Sequence, residues 1–140
     1  MTGSFVVDNS VVMSWCFKDE AHPFADSVLD RLSEVKAYVP CLWPLEVVNV
    51  LLVAESRKII SEADSIRFVS LLSQLPIFVE HEKPKEVMKV LLGLARAHKL
   101  SSYDASYLDL ALKKGLPLAT LDKKLRKAAE TMNIAILPDS

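Results

Sequence analysis

Short apolar runs alternate with longer stretches of helical period along this 140-residue chain, and that alternation constrains its fold more than any other feature. Residues 5–7, 37–39, 77–79, 116–120 and 134–137 are apolar with little polar alternation, the pattern of strands covered on both faces. Helical segments fall between them. Ser10 caps a first one running through Val11, Val12, Trp15 and Phe17, and residues 18–22 form a polar connection. Phe24, Val28, Leu29 and Leu32 repeat at helical spacing over residues 23–34. The next helix starts near Leu42, tolerates Pro44 in its first turn and continues through Ala54. Ser61 and Asp64 have the spacing of a capping box, opening a helix that carries Ile66, Val69 and Leu72. Residues 84–98 place Val87, Val90, Leu91, Leu94 and Ala95 on a buried side. A helix from Ser101 ends at Gly115, and another runs from Asp122 to near Met132. The pattern amounts to about five strands and about seven helices. It predicts an α/β fold with a mainly parallel central sheet.

No linker or repeat divides the chain, so residues 1–140 are expected to form a single domain. Hydrophobic residues make up 51% of it, enough for a core, and the formal net charge is -1. That balance excludes a basic tail, so any RNA binding must come from a local patch or a bound cation. Cys16 and Cys41 form no CxxC pair and read as two buried thiols in a reducing compartment. The N-terminus lacks the pattern of a signal peptide, and no segment has the apolar length of a membrane span. A cytoplasmic location and no membrane contact are the expectation.

Chemistry in parallel α/β folds collects beyond the C-terminal ends of the strands. Asp8 follows the first strand directly, and Asp122 follows residues 116–120 by two positions. Glu46 and Asp104 fall in the first turns of helices that start at the same edge. Four carboxylates from separated segments can converge there, and such a cluster needs cations or protons to compensate it. Oxygen ligands alone suit Mg²⁺ or Mn²⁺ better than zinc. Each acid also has a local explanation. Asp8 can be a turn former, Glu46 suits a helix N-terminus, Ser101–Asp104 has capping-box spacing, and Asp122 can be an N-cap. Ser10 and Thr120 are equally ordinary as cap and strand residues.

Taken together, VVDNSVV at 6–12, PLEVVNVL at 44–51, SYDASYLDLA at 102–111 and LATLDKKL at 118–125 resemble PIN-domain proteins of the VapC toxin type. The resemblance spans nearly the whole chain and is least diagnostic between residues 58 and 100. It implies a three-layer α/β/α sandwich and a divalent-metal-dependent endoribonuclease acting as the toxin of a type II toxin–antitoxin pair. It also implies that Asp8, Glu46, Asp104 and Asp122 hold Mg²⁺ or Mn²⁺ and carry catalysis. Ser10, Asn49 and Thr120 match supporting polar positions, and Tyr107 matches a common aromatic read as a packing residue. Hydrolysis in the family manner leaves a 5′-phosphate and a 3′-hydroxyl. Asp109 departs from the small residue expected there and reads as peripheral.

The resemblance further implies a homodimer and a cognate antitoxin, with residues 59–79 or the Val87–Ala95 segment as candidate surfaces. Lys123, Lys124, Arg126 and Lys127 are candidates for the RNA backbone, with Lys113 and Lys114 beside them; a solvated helix face is the other reading. Trp15, Trp43 and Phe17 suit core or interface packing more than base stacking. His22, His81 and His98 are scattered and suit surface or helix-end positions. A receiver-type domain would need an aspartate after the third strand, where Glu80 and His81 stand. The rival within the same fold is a non-catalytic scaffold that binds RNA or protein.

Overall fold

The computed structural model describes residues 3–17 and 22–138. Of the expected polar connection at 18–22, all but His22 lies outside the described residues.

Four parallel strands form the sheet: β1 (Phe5–Val7), β2 (Ala37–Pro40), β3 (Ile77–Glu80) and β4 (Leu118–Ala119). Their spatial order is β3-β2-β1-β4. All three residues of β1 are wholly buried, as its apolar, largely β-branched sequence requires of a central strand. Seven helices occur among the described residues: α1 (Asn9–Ser14), α2 (Pro23–Arg31), α3 (Trp43–Ser56), α4 (Glu62–Gln74), α5 (Pro84–His98), α6 (Ser102–Lys114) and α7 (Lys123–Thr131).

The strand order determines where chemistry can collect. The chain moves outward from β1 to β2 to β3, then returns past β1 to lay down β4 on its other side. Parallel crossovers are right-handed, so reversing the direction of travel changes the face on which the connecting helices lie. In agreement, α1 packs on α2 and α3, whereas α6 packs on β1, β2, β4, α5 and α7. The result is the three-layer α/β/α arrangement. The reversal makes the gap between the ends of β1 and β4 a topological switch point, the usual crevice for a ligand in an open parallel sheet.

Helix α6 is the most deeply set helix. Every residue from Ala105 to Ala111 is buried, and Gly115 closes the helix in the left-handed region at φ 62°. Ser61 and Asp64 form both bonds of the expected capping box at the start of α4.

Several expectations need correction. Residues 134–137 do not form a fifth strand; only Leu118 and Ile136 make a parallel bridge. Pro117 and Pro138 flank these segments and have no N–H to extend the ladder. Helix α4 buries Ser65, Phe68 and Leu72, leaving Ile66 at 69% and Val69 at 45% exposure. Two apolar stripes compete on that helix, and the one carrying the large Phe68 ring faces the core. No residue of α5 is fully buried; Val87, Leu91, Leu94 and Ala95 are half-buried and Val90 is exposed. Helix α2 stops at Arg31, short of residue 34. Trp15 and Trp43 are core residues, and the Trp15 indole N–H donates to the Ala25 carbonyl at 2.8 Å.

Candidate active site

Asp8 stands at the end of β1 and occupies the N-cap position of α1, so Ser10 is not the cap. The Asp8 carboxylate makes no cap bond. Its Oδ2 instead accepts from the Ser10 hydroxyl at 2.6 Å and from the Thr120 hydroxyl at 2.8 Å. Both hydroxyls are themselves fixed from the β4 side. Ser10 Oγ accepts the Leu121 backbone N–H at 3.0 Å, and Thr120 Oγ1 accepts that of Asp122 at 3.0 Å. Two parallel relays therefore join the ends of β1 and β4 across the switch point, each ending on the same carboxylate oxygen. Asp8 is 4% exposed and Thr120 3%, so these bonds replace water at a charge largely removed from solvent.

Asp122 is the N-cap of α7, its Oδ1 accepting the Lys124 and Leu125 backbone N–H groups at 2.8 and 3.2 Å. Asp104 lies in the first turn of α6, where its own N–H donates to Ser101 Oγ at 3.1 Å. Glu46 lies in the first turn of α3 and is half-buried. Its Oε1 accepts the Tyr107 hydroxyl at 2.5 Å. The capping roles of Ser101 and Asp122 are therefore real and compatible with a second role for the Asp104 and Asp122 carboxylates.

The four acids act on one another. Burial raises the Asp8 carboxyl above its ordinary value of 3.8, the Asp122 charge adds to this, and the Ser10 and Thr120 bonds oppose it. Burial likewise raises Glu46 above 4.5; the Tyr107 bond opposes, and the charges of Asp8 and Asp104 push it further up. Asp104 is raised first by burial and then by Asp8 and Asp122, while the Lys124 ammonium pulls the other way. The Tyr107 phenol is raised far above its usual value by burial and by its bond to Glu46, so it stays protonated as a donor. Among the described residues none of the four acids has a salt-bridge partner. Among those residues no group of three or more His, Cys, Asp or Glu side chains is placed to hold a metal ion. Oxygen donors that share negative charge, eased in part by Lys124, are the chemistry that a hard divalent ion fits.

The remaining candidates separate clearly. Asn49 is exposed and makes no side-chain hydrogen bond among the described residues, so no bond ties it to the acids. Lys123, Lys124, Arg126 and Lys127 are exposed on the first turns of α7, and among the described residues only Arg126 of these has an ion-pair partner, Glu130 at 3.8 Å. Lys113 and Lys114 are engaged elsewhere, Lys113 with Asp109 at 2.9 Å and Glu82 at 3.6 Å, and Lys114 with Glu80 at 3.0 Å. Asp109 is 1% exposed and held by Lys113 one turn along its own helix. The bond that sequence reasoning missed is Tyr107 to Glu46. The available signal was the i, i+3 spacing that puts Tyr107 on the Asp104 face of α6.

The sequence model of the PIN domain matches residues 5–131. The chain belongs to the PIN domain family. PIN domains are in general phosphodiester-cleaving nucleases that use divalent metal ions. This PIN domain is similar to the crystal structure of PAE2754 from Pyrobaculum aerophilum, at 25% identity, over 95% of this chain and 87% of that one, with a TM-score of 0.66. It shares its fold with FitAcB from Neisseria gonorrhoeae, at 16% identity over 96% and 97% of the two chains and a TM-score of 0.57. No curated protein matches. No helix among the described residues is long and apolar enough to cross a membrane.

Proposed function

We propose that this PIN domain is a divalent-metal-dependent endoribonuclease of the VapC type, the toxin of a type II toxin–antitoxin pair, working in the cytoplasm as one domain and as a homodimer. The observation that carries the reading is the pair of hydrogen-bonded relays through Ser10 and Thr120 that fix the Asp8 carboxylate across the gap between β1 and β4, beside Asp122. These four side chains would hold Mg²⁺ or Mn²⁺ directly or through waters. When bound, such an ion supplies a more acidic water and neutralises charge on the phosphoryl oxygens.

The chain's own groups do the rest. Ser10 and Thr120 keep Asp8 Oδ2 occupied and fixed. Lys123, Lys124 and Lys127 stand exposed beside Asp122, where cations attract and align a phosphate backbone. Lys124 already acts electrostatically on Asp104, so a phosphate seated there lies next to the acids. An antitoxin placing a basic side chain among the carboxylates would inhibit by supplying the missing positive charge.

The lack of a closed ligand group among the described residues favours one second reading, a non-catalytic scaffold that binds RNA or protein. Turnover separates the two. Partner-free protein incubated with a pool of structured RNAs is expected to give discrete fragments with Mn²⁺ or Mg²⁺, none with EDTA, and none from folded Asp8→Asn. Metal-independent RNA binding without cleavage, unaffected by Asp8→Asn, would establish the scaffold.

A further inference from the structure

Glu46 has a long side chain, and like charge on Asp8 and Asp104 disfavours its ionised form. Yet it stays half-buried. No side-chain cap bond is made at the start of α3, where Glu46 lies in the first turn. The single side-chain hydrogen bond to Glu46 among the described residues comes from Tyr107, whose sequence position is 61 residues away. The Tyr107 ring is completely buried in α6, the most enclosed helix of the fold, so the hydroxyl is delivered from a side chain with almost no freedom.

We infer that Tyr107 is a positioning residue, whose buried ring holds the Glu46 carboxylate by Oε1 and leaves Oε2 free to face an ion. This rests on the metal-binding reading of the four acids. Hydrogen-bond partners of this kind orient a ligating carboxylate before the ion arrives, and removing one weakens metal affinity by about 10–100-fold.

The test is Mn²⁺ binding by calorimetry to the wild type, Tyr107→Phe, Glu46→Gln and the double variant, with folding of each confirmed by circular dichroism. Tyr107→Phe keeps the ring and loses only the donor. Its Mn²⁺ affinity is expected to fall about tenfold, with RNA KM unchanged and kcat recovered at saturating Mn²⁺. In the Glu46→Gln background the same change should add little, because the residue acts through Glu46. Unchanged Mn²⁺ affinity in folded Tyr107→Phe overturns the assignment, as does an equal loss in both backgrounds. A second measurement needs no variant: in a Mn²⁺-loaded crystal structure the Tyr107–Glu46 bond should persist, and a Glu46 swung away from the phenol overturns the role. A wild type that binds no Mn²⁺ refutes the metal reading itself and removes the basis for positioning.

Discussion

Replacing Thr120 by valine deletes one hydroxyl from the centre of the switch point while nearly preserving shape. The hydroxyl donates to Asp8 Oδ2 at 2.8 Å and accepts the Asp122 N–H at 3.0 Å. A hydrogen bond to a charged acceptor contributes about 1.5–3 kcal/mol. The Asp122 N–H is half-buried, so water replaces its lost acceptor in part, leaving a loss of about 0.5–1 kcal/mol. The added methyl group is buried, since Thr120 is 3% exposed, and returns up to about 0.8 kcal/mol. The net expectation is a loss of about 2 kcal/mol at neutral pH.

The pH dependence distinguishes this account from simple misfit. The Thr120 bond lowers the Asp8 carboxyl, so its removal raises the folded-state value further. A raised folded value means stability is lost as pH rises through it. The penalty of Thr120→Val should therefore be largest at neutrality. It should shrink to about 1 kcal/mol near pH 4 and below, where Asp8 becomes a neutral acceptor. Urea denaturation of the metal-free protein, followed through the buried Trp15 and Trp43, reads both values. Thr120→Ser, which keeps the hydroxyl, should recover most of the neutral-pH loss. A penalty of the same size at both pH values, or none at neutrality, would refute the reasoning.

The same linkage applies to Asp8, Glu46 and Asp104, all raised above their ordinary values of 3.8, 4.5 and 3.8. Metal-free Asp8→Asn should gain stability relative to wild type as pH climbs above those values, and the opposite trend in urea midpoints would contradict the electrostatic coupling. Gly115 sits at φ 62° with nothing within 4 Å of a built Cβ, so Gly115→Ala carries only backbone strain. A loss of about 1 kcal/mol in thermal or urea unfolding, with Mn²⁺ affinity unchanged, is expected.

Much of this fold is legible from local pattern because local forces decide it. The apolar β1 segment, the Ser61–Asp64 capping box and the left-handed Gly115 follow from neighbours in sequence. What fails is what tertiary contact decides. Ile66 and Val69 have helical spacing as good as that of Phe68 and Leu72, and only packing selects which stripe is buried. Residues 134–137 have strand composition, but β4 offers too short a ladder for more than one bridge. The site divides in the same way. The acids are legible as residues following strands or opening helices. The Ser10 and Thr120 relays are not, since Thr120 reaches Asp8 from 112 positions away. Nor is the Tyr107 bond, which needs α6 and α3 brought together at one edge of the sheet.

The central claim is that Asp8, Glu46, Asp104 and Asp122 share a divalent cation at the gap between β1 and β4. Anomalous diffraction from Mn²⁺-soaked crystals tests it most directly. The account predicts a peak bounded by those four carboxylates, retained in Lys127→Ala and lost in Asp8→Asn. A fully formed crystal with no peak there at saturating Mn²⁺, or a peak held by other residues, would contradict it.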